Sequence, residues 1–151
     1  MTTPTDTLLQ SSLTIAAEFR RVWPWLRDSL EYGAYVHNGV VYPTHSEGDV
    51  WERVFTGKAQ LWAGETAAIV SEIINSPTGL RTQNNWIAGG DIDEIKELML
   101  RVERWGYLKG CHREVGNGRK GWLRAFEGYT EFGWRKQKDL LRPDEAVCLH
   151  R

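Results

Sequence analysis

Residues 88–110 read AGGDIDEIKELMLRVERWGYLKG, and this stretch predicts the clearest element of the chain. Asp91 and Glu94 are typical of the start of a helix, and Gly106 and Gly110 indicate its end. Between them, apolar residues return every three or four positions, as on one face of a helix: Ile92, Ile95, Leu98, Met99, Val102, Trp105 and Leu108. We therefore expect an amphipathic helix that packs this face on a core.

The segment before this helix consists of short apolar runs separated by turns. It predicts strands at residues 60–63, 68–74 and 80–88, with Gly64 and Glu65 in the first turn. Strands joined by such short connections pair antiparallel, so we expect a meander beside the helix. The length of 151 residues fits a single domain.

The first 45 residues predict a helical extension of the same domain. Residues 1–7 are small and polar, which favours a short disordered arm. Apolar residues recur at helical spacing over residues 8–30, but Pro24 is expected to break or bend that helix. We therefore divide the chain into the arm, an extension of helix and hairpin at 8–45, and an α/β core at 46–151.

Local capping and turn signals predict the smaller elements. Asn38 and Gly39 between β-branched residues are typical of a two-residue hairpin turn. Ser46 and Asp49 have the spacing of a helix N-cap, and Gly57 closes that helix. After the long helix we expect a strand at 111–115, a short helix at 119–127 and a pair of closing strands between 129 and 140.

Composition excludes several classes of protein. Twenty acidic residues balance 19 basic ones, for a net charge of -1, so we expect neither nucleic acid nor a membrane as a partner. Cys111 and Cys148 are too few for a disulfide framework, and no run approaches the ~18 apolar residues of a membrane span. The four histidines lack the spacing of metal ligands, so no metal site is predicted. The expected location is the cytoplasm.

Eight tryptophans are scattered over the chain, which favours large core side chains over one binding platform. Trp23 and Trp25 flank Pro24 and have two interpretations. They are either aromatic residues of a bent helix or exposed anchors for a protein partner, because tryptophan is enriched where partners bind.

Several short motifs in the second half carry a family resemblance. They are Gln60-Leu61-Trp62, Ala88-Gly89-Gly90, Trp105, Gly110-Cys111 and Gly118-Arg119 followed by Gly121-Trp122. With the order strand, helix, strand, short helix and closing strands, they resemble the GNAT superfamily of N-acetyltransferases. Over residues 50–140 the chain is most similar to small GNAT-like proteins of tailed phages and prophages. The resemblance implies an α+β fold: a mixed, mostly antiparallel sheet with helices on both faces and a helical N-terminal extension.

The resemblance also implies a place for coenzyme A. In active members, backbone N–H groups at the start of the long helix hold the coenzyme pyrophosphate. The corresponding residues are Gly89, Gly90, Asp91 and Ile92, where carboxylates stand in place of a basic residue. Basic residues of the following short helix would then have to supply the positive charge, and these are Arg119 and Arg124.

Two residues are candidates for the chemistry of transfer. Glu72 is a candidate general base on the second strand, although an outward-facing strand residue looks the same in sequence. Arg124 stands where active members place a tyrosine acid, and an arginine that stays protonated is a poor proton donor.

Two functions follow from this resemblance. The first is a phage-encoded GNAT-like protein without acyl transfer and without a cofactor, which acts as a virion or head-associated component. Its partners would be other virion or phage proteins or copies of itself, in the host cytoplasm or the virion. The alternative is an N-acyltransferase that uses acetyl-CoA and acts on a protein or small-molecule amine. The carboxylates at 91–94 and Arg124 favour the first.

Overall fold

The computed structural model describes residues 4–116, 125–130, 133, 137–140 and 144–145, with side chains from Leu13 onward. Three helices and six strands are formed in this part of the chain. In order they are α1 (Pro4–Tyr32), β1 (Tyr35–His37), β2 (Val40–Tyr42), α2 (Glu47–Phe55), β3 (Gln60–Ala63), β4 (Ala67–Asn75), β5 (Arg81–Gly90), α3 (Ile92–Leu108) and β6 (Arg113–Gly116).

The main sheet has the strand order β3-β4-β5-β6. The first three strands are antiparallel neighbours, and β6 runs parallel to β5 after the crossover through α3. The predicted fold class is therefore confirmed as mixed α+β with a mostly antiparallel sheet. β6 pairs with β5 over Thr82–Asn85 alone, so the last five residues of β5 extend past the described part of β6.

Helices cover both faces of this sheet, as expected. Successive strand residues point to opposite faces, so Val70 and Ile87 face α1 and α2 while Ile69 and Ala88 face α3. Full burial of one aliphatic side chain contributes about 1.5–3 kcal/mol. The helical side chains buried in the two cores are Phe19, Val22, Leu26 and Val50 on one face, and Ile95, Leu98, Met99 and Val102 on the other.

α1 is one helix that passes through Pro24, so the break expected there is wrong and the alternative of a bend stays a prediction. The helix begins at Pro4, inside the arm predicted at residues 1–7. Pro24 does not break it, because Val22 and Leu26 on either side are fully buried against the sheet. This packing offsets the roughly 3 kcal/mol that an internal proline costs. The domain boundaries stay a prediction.

The local turn and cap signals are confirmed. Asn38 (φ 51°) and Gly39 (φ 75°) form the turn of the β1–β2 hairpin. Ser46 and Asp49 form a reciprocal capping box at the start of α2. The strand predicted at 111–115 lies at 113–116. The helix predicted at 119–127 lies mostly outside the described residues. Of the strands predicted between 129 and 140, residues 129–130, 133 and 137–140 are described and none of them is in a strand, and the other residues lie outside the described ones.

The end of α3 differs from the prediction at Gly106. The helix continues through this residue to Leu108, and Gly110 (φ 79°) follows its end. Gly106 is buried, and a Cβ there would lie 2.8 Å from the side-chain amide carbon of Gln83. The glycine is therefore explained by close helix–sheet packing and not by helix termination.

Candidate functional site

The turn from β5 into α3 is built by close backbone contacts. A Cβ on Gly89 would lie 2.7 Å from the carbonyl carbon of Trp25 in α1. A Cβ on Gly90 (φ 105°) would lie 2.6 Å from Cα of Ala67 in β4. The two glycines therefore let α1 and β4 approach β5, a structural reason that requires no ligand.

Carboxylates of the chain itself occupy the start of α3. Asp91 is the N-cap and accepts a hydrogen bond from the Glu94 backbone N–H at 3.1 Å. The Glu94 side chain accepts hydrogen bonds from the backbone N–H groups of Thr66 in the β3–β4 turn (2.8 Å) and of Ala67 at the start of β4 (2.9 Å). Asp93 in the first turn is exposed. Each of these carboxylates stabilises the helix by about 0.3–1 kcal/mol through its interaction with the helix dipole. Together they make the start of α3 negatively charged.

Arg21 of α1 is the cation beside this corner. Its guanidinium donates to the carbonyl oxygens of Gly64 (2.7 Å) and Glu65 (3.3 Å) and pairs with Glu18 at 2.6 Å. The hydrogen bond with Glu18 is also the main reason why the pKa of Arg21 is raised and that of Glu18 is lowered. Arg21 therefore fastens α1 to the β3–β4 turn.

The end of β5 is also covered by α1. The backbone N–H of Ala88 donates to the Ser29 hydroxyl at 3.4 Å. This contact lies in the part of β5 that extends past the described part of β6. An amide-bearing ligand beside β5 would therefore compete with Ser29 for this donor.

The structure separates Glu72 from the start of α3. Glu72 pairs across the sheet with Asn84, whereas Ala67 pairs with Gly90. Six residues of β5 separate these two positions, or roughly 20 Å of strand. The predicted base and the predicted pyrophosphate residues therefore lie near opposite ends of β5.

Glu72 is held in a polar group on the α2 side of the sheet. It forms a close ion pair with Arg53 and accepts from the Asn84 side-chain amide at 3.0 Å. Its side chain is 14% exposed, and the Arg53 guanidinium stacks 5.6 Å above the Trp86 ring. Trp86 is the extra residue of a β-bulge, since Val70 pairs with Ile87 and Ser71 with Asn85. The role of Glu72 as a base stays a prediction.

A second polar cluster, not predicted from the sequence, lies between α3, β6 and the segment 125–130. The Tyr129 hydroxyl is within hydrogen-bonding distance of Glu103 Oε1 (3.0 Å) and of Glu114 Oε1. The side-chain amides of Gln83 (3.0 Å) and Asn85 (3.4 Å) donate to the other oxygen of Glu114. We call Glu103, Glu114 and Tyr129 the carboxyl cluster. The sequence gives only an indirect signal of this cluster, which is Gly106 in the apolar stripe of α3. This glycine leaves space for Gln83, which donates to Glu114.

Burial dominates the electrostatics of this cluster. It raises the pKa of Glu114 to about 7, against the lowering effect of the hydrogen bonds from Tyr129 and Asn85, and nearby Glu103 raises it further. Burial and both carboxyl groups raise the pKa of Tyr129, which therefore stays a protonated donor. The cluster borders an open groove of about 400 Å³ with Met99, Leu100 and Phe126 among its lining side chains.

The remaining predicted residues are placed as follows. Trp23 and Trp25 are half-buried and pack against the core under α1. Arg119 and Arg124 lie outside the described residues. Within the described part of the chain, no group of three or more His, Cys, Asp or Glu residues could hold a metal ion. None of the described helices is long and apolar enough to cross a membrane.

Comparison with known proteins gives one structural likeness. No family model and no curated protein matches the chain. The chain is similar to a crystal structure of a Trypanosoma brucei acetyltransferase. The two are 13% identical, with a TM-score of 0.47, over 65% of this chain and 82% of that one. We infer no activity from this likeness.

Proposed function

We propose that this chain is a non-catalytic component of a protein assembly, built on a GNAT-like α+β fold. The phage proteins that it resembles in sequence suggest a virion as that assembly. The observation that carries the proposal is the start of α3, where the chain's own carboxylates and backbone contacts stand in the place of a coenzyme pyrophosphate.

Electrostatics disfavours a pyrophosphate at this helix start. Asp91, Asp93 and Glu94 all lie within the cap and first turn of α3. A phosphate charge 4 Å from one carboxylate is repelled by about 1 kcal/mol in bulk water and by about 4 kcal/mol near a protein surface. The attraction of the helix dipole for the phosphate offsets at most about 1–2 kcal/mol of this repulsion. Arg21 adds little, because it is already bonded to Glu18 and to two carbonyl oxygens.

Exposed apolar side chains support an assembly role. Leu100 (69% exposed), Tyr107 (80%) and Leu108 (67%) lie on the outer side of α3. Their spacing of seven and eight residues places them on one helical face. Tyr107 and Leu108 are neighbours at the C-terminal end of α3, and an exposed apolar patch is typical of sites where proteins associate. The partners would be copies of this chain or other proteins of the same assembly.

Calorimetric titration with acetyl-CoA and with free coenzyme A at low salt tests the proposal. We expect no saturable binding by the wild-type protein. A dissociation constant in the micromolar range, about −8 kcal/mol, would contradict it. Asp93→Lys is the informative variant, since Asp93 is exposed and forms neither the cap nor the turn contact. If repulsion is the reason, this variant binds coenzyme more tightly than wild type.

Association is tested separately by sedimentation of the wild-type protein and of the double variant Tyr107→Ser, Leu108→Ser. We expect the wild type to self-associate, or to join an assembly when its partner is present, and the variant to lose that behaviour. Arg104→Ser on the same helix, an exposed polar position, is the matched control. An unchanged variant would remove the α3 surface from the proposal.

The acetyl-CoA-dependent acyltransferase is the second candidate. It is favoured by the end of β5, which extends past the described part of β6 and leads into a helix N-terminus. Gly89 and Gly90 would then carry the pyrophosphate and Glu72 would act as the base. Mass spectrometry of amine substrates incubated with acetyl-CoA, for wild type and Glu72→Gln, tests this. Transfer by wild type that is lost in the variant would establish the enzyme.

A further inference from the structure

We propose that Glu103, Glu114 and Tyr129 form a proton-binding site that shares one extra proton between the two carboxyl groups and thereby holds the segment 125–130 on α3 and β6. This inference concerns a different part of the molecule from the start of α3. It does not depend on the proposed assembly role.

The cluster contains two close oxygen–oxygen contacts but only one hydroxyl proton, and this mismatch is the basis of the proposal. One phenolic hydroxyl lies against two carboxyl oxygens, Glu103 Oε1 at 3.0 Å and Glu114 Oε1. A phenol has one proton and can donate to only one of them. If both carboxyl groups are ionised, one contact places two lone pairs against each other. One added proton on either carboxyl group lets it donate to the phenol oxygen, so that both contacts contain a hydrogen.

The surroundings supply neutral donors. From β5, the amides of Gln83 and Asn85 donate to Glu114 Oε2, and Asn85 also donates to the Met99 sulfur of α3 at 3.3 Å. Gly106 of α3 leaves the space that Gln83 fills. These groups stabilise one carboxylate but cannot neutralise a second charge.

Two charged or titratable groups beside Glu114 in the described part of the chain bond to β5. On β6, Arg113 donates to the Thr82 hydroxyl at 3.1 Å, and next to it His112 accepts from the Arg81 backbone N–H at 3.0 Å. None of the ion pairs formed among the described residues includes Glu103 or Glu114. The charged side chains that line the adjoining groove are one cation and two further acids, Lys96, Glu97 and Glu127.

Burial of this pair, which no ion pair among the described residues neutralises, explains why the proton is held near neutral pH. The pKa of Glu114 is raised to about 7, chiefly by burial. Above that pH Glu114 ionises, its charge repels the Glu103 carboxylate, and the hydrogen bond that its added proton donated to the Tyr129 oxygen is lost. The segment 125–130 then loosens from α3, and the groove beside Met99 and Phe126 opens further.

Titration of the wild-type protein tests the inference directly. Carboxyl carbon NMR with labelled glutamate, and ring-carbon NMR of Tyr129, should both show a transition with a midpoint near pH 7. Amide exchange of residues 125–130, corrected for its intrinsic pH dependence, should show about tenfold less protection at pH 8 than at pH 5.5. A midpoint below pH 5 for Glu114, or equal protection at the two pH values, would overturn the proposal.

Two variants separate the cluster from general effects of pH. Glu103→Gln replaces one carboxyl group by an amide that always carries donors, so we expect the Glu114 transition to move clearly below pH 7 and the loss of protection of 125–130 to move with it. Glu97→Gln removes an exposed acid of the same groove that is outside the cluster, and its transition should stay near pH 7. A Glu103→Gln protein that still shows the transition near pH 7 would contradict the shared proton.

Discussion

Replacement of Gly89 by alanine tests whether this glycine serves packing or a ligand. In ordinary contacts a Cβ lies 3.4–4 Å from its neighbours, but the added Cβ would lie 2.7 Å from the Trp25 carbonyl carbon. The neighbour is helix backbone and cannot rotate away, so α1 has to move by roughly 1 Å. Overpacking of this kind costs about 1–3 kcal/mol.

Urea unfolding, followed by tryptophan fluorescence, measures this cost. A loss of 1–3 kcal/mol corresponds to a fall in Tm of about 3–10 °C for a chain of this size. Gly48→Ala is the matched control. Gly48 is an exposed glycine of α2, where the new Cβ lies 3.8 Å from Ser46 Oγ, and its replacement should stabilise the protein by up to about 1 kcal/mol.

The two variants together discriminate between the interpretations. If Gly89 serves a ligand alone, Gly89→Ala changes ligand binding but leaves the free energy of unfolding within about 0.5 kcal/mol of wild type. That result would refute the packing argument for the β5–α3 turn. It would also reopen this turn as a phosphate site.

Further predictions concern the two polar clusters. Because the pKa of Glu114 is raised from 4.5 to about 7, the folded state keeps a proton that the unfolded chain releases in this range. The free energy of unfolding therefore falls as pH rises from 4.5 to 7, by about 1–2 kcal/mol after allowance for partial exposure. Urea titrations at several pH values should show this fall in wild type and not in Glu114→Gln. Arg53→Met leaves the mostly buried Glu72 without its ion partner and should cost about 1–2 kcal/mol, whereas Arg53→Lys should cost less. Equal unfolding free energies for these two variants would show that the pair contributes no charge-specific stability.

The elements that could be predicted from sequence are those with local causes. α3 follows from apolar spacing and the Asp91 cap, and the β1–β2 turn follows from Asn38 and Gly39, which tolerate positive φ. Each of these signals acts within a few residues of chain. Neighbouring residues therefore suffice to predict them, whatever the rest of the fold does.

The candidate sites were predicted less completely. The glycines and carboxylates at the start of α3 were identified, but not their contacts with Trp25, Thr66 and Ala67, which come from α1 and the β3–β4 turn. Glu72 was identified as a strand carboxylate, but its partner Arg53 lies 19 residues away in the chain. Sequence spacing holds no information on such pairs, because they depend on how helices dock on the sheet.

Local sequence thus determined the helices, the strands of the meander and their turns, because hydrogen bonding and apolar periodicity are short-range. Tertiary structure alone decided that α1 continues through Pro24, since burial of Val22 and Leu26 outweighs the local cost. It also decided that Gly106 lies inside α3 and that Glu103, Glu114 and Tyr129 meet. These features depend on packing between segments far apart in the chain, and burial there changes the chemistry of the groups it brings together.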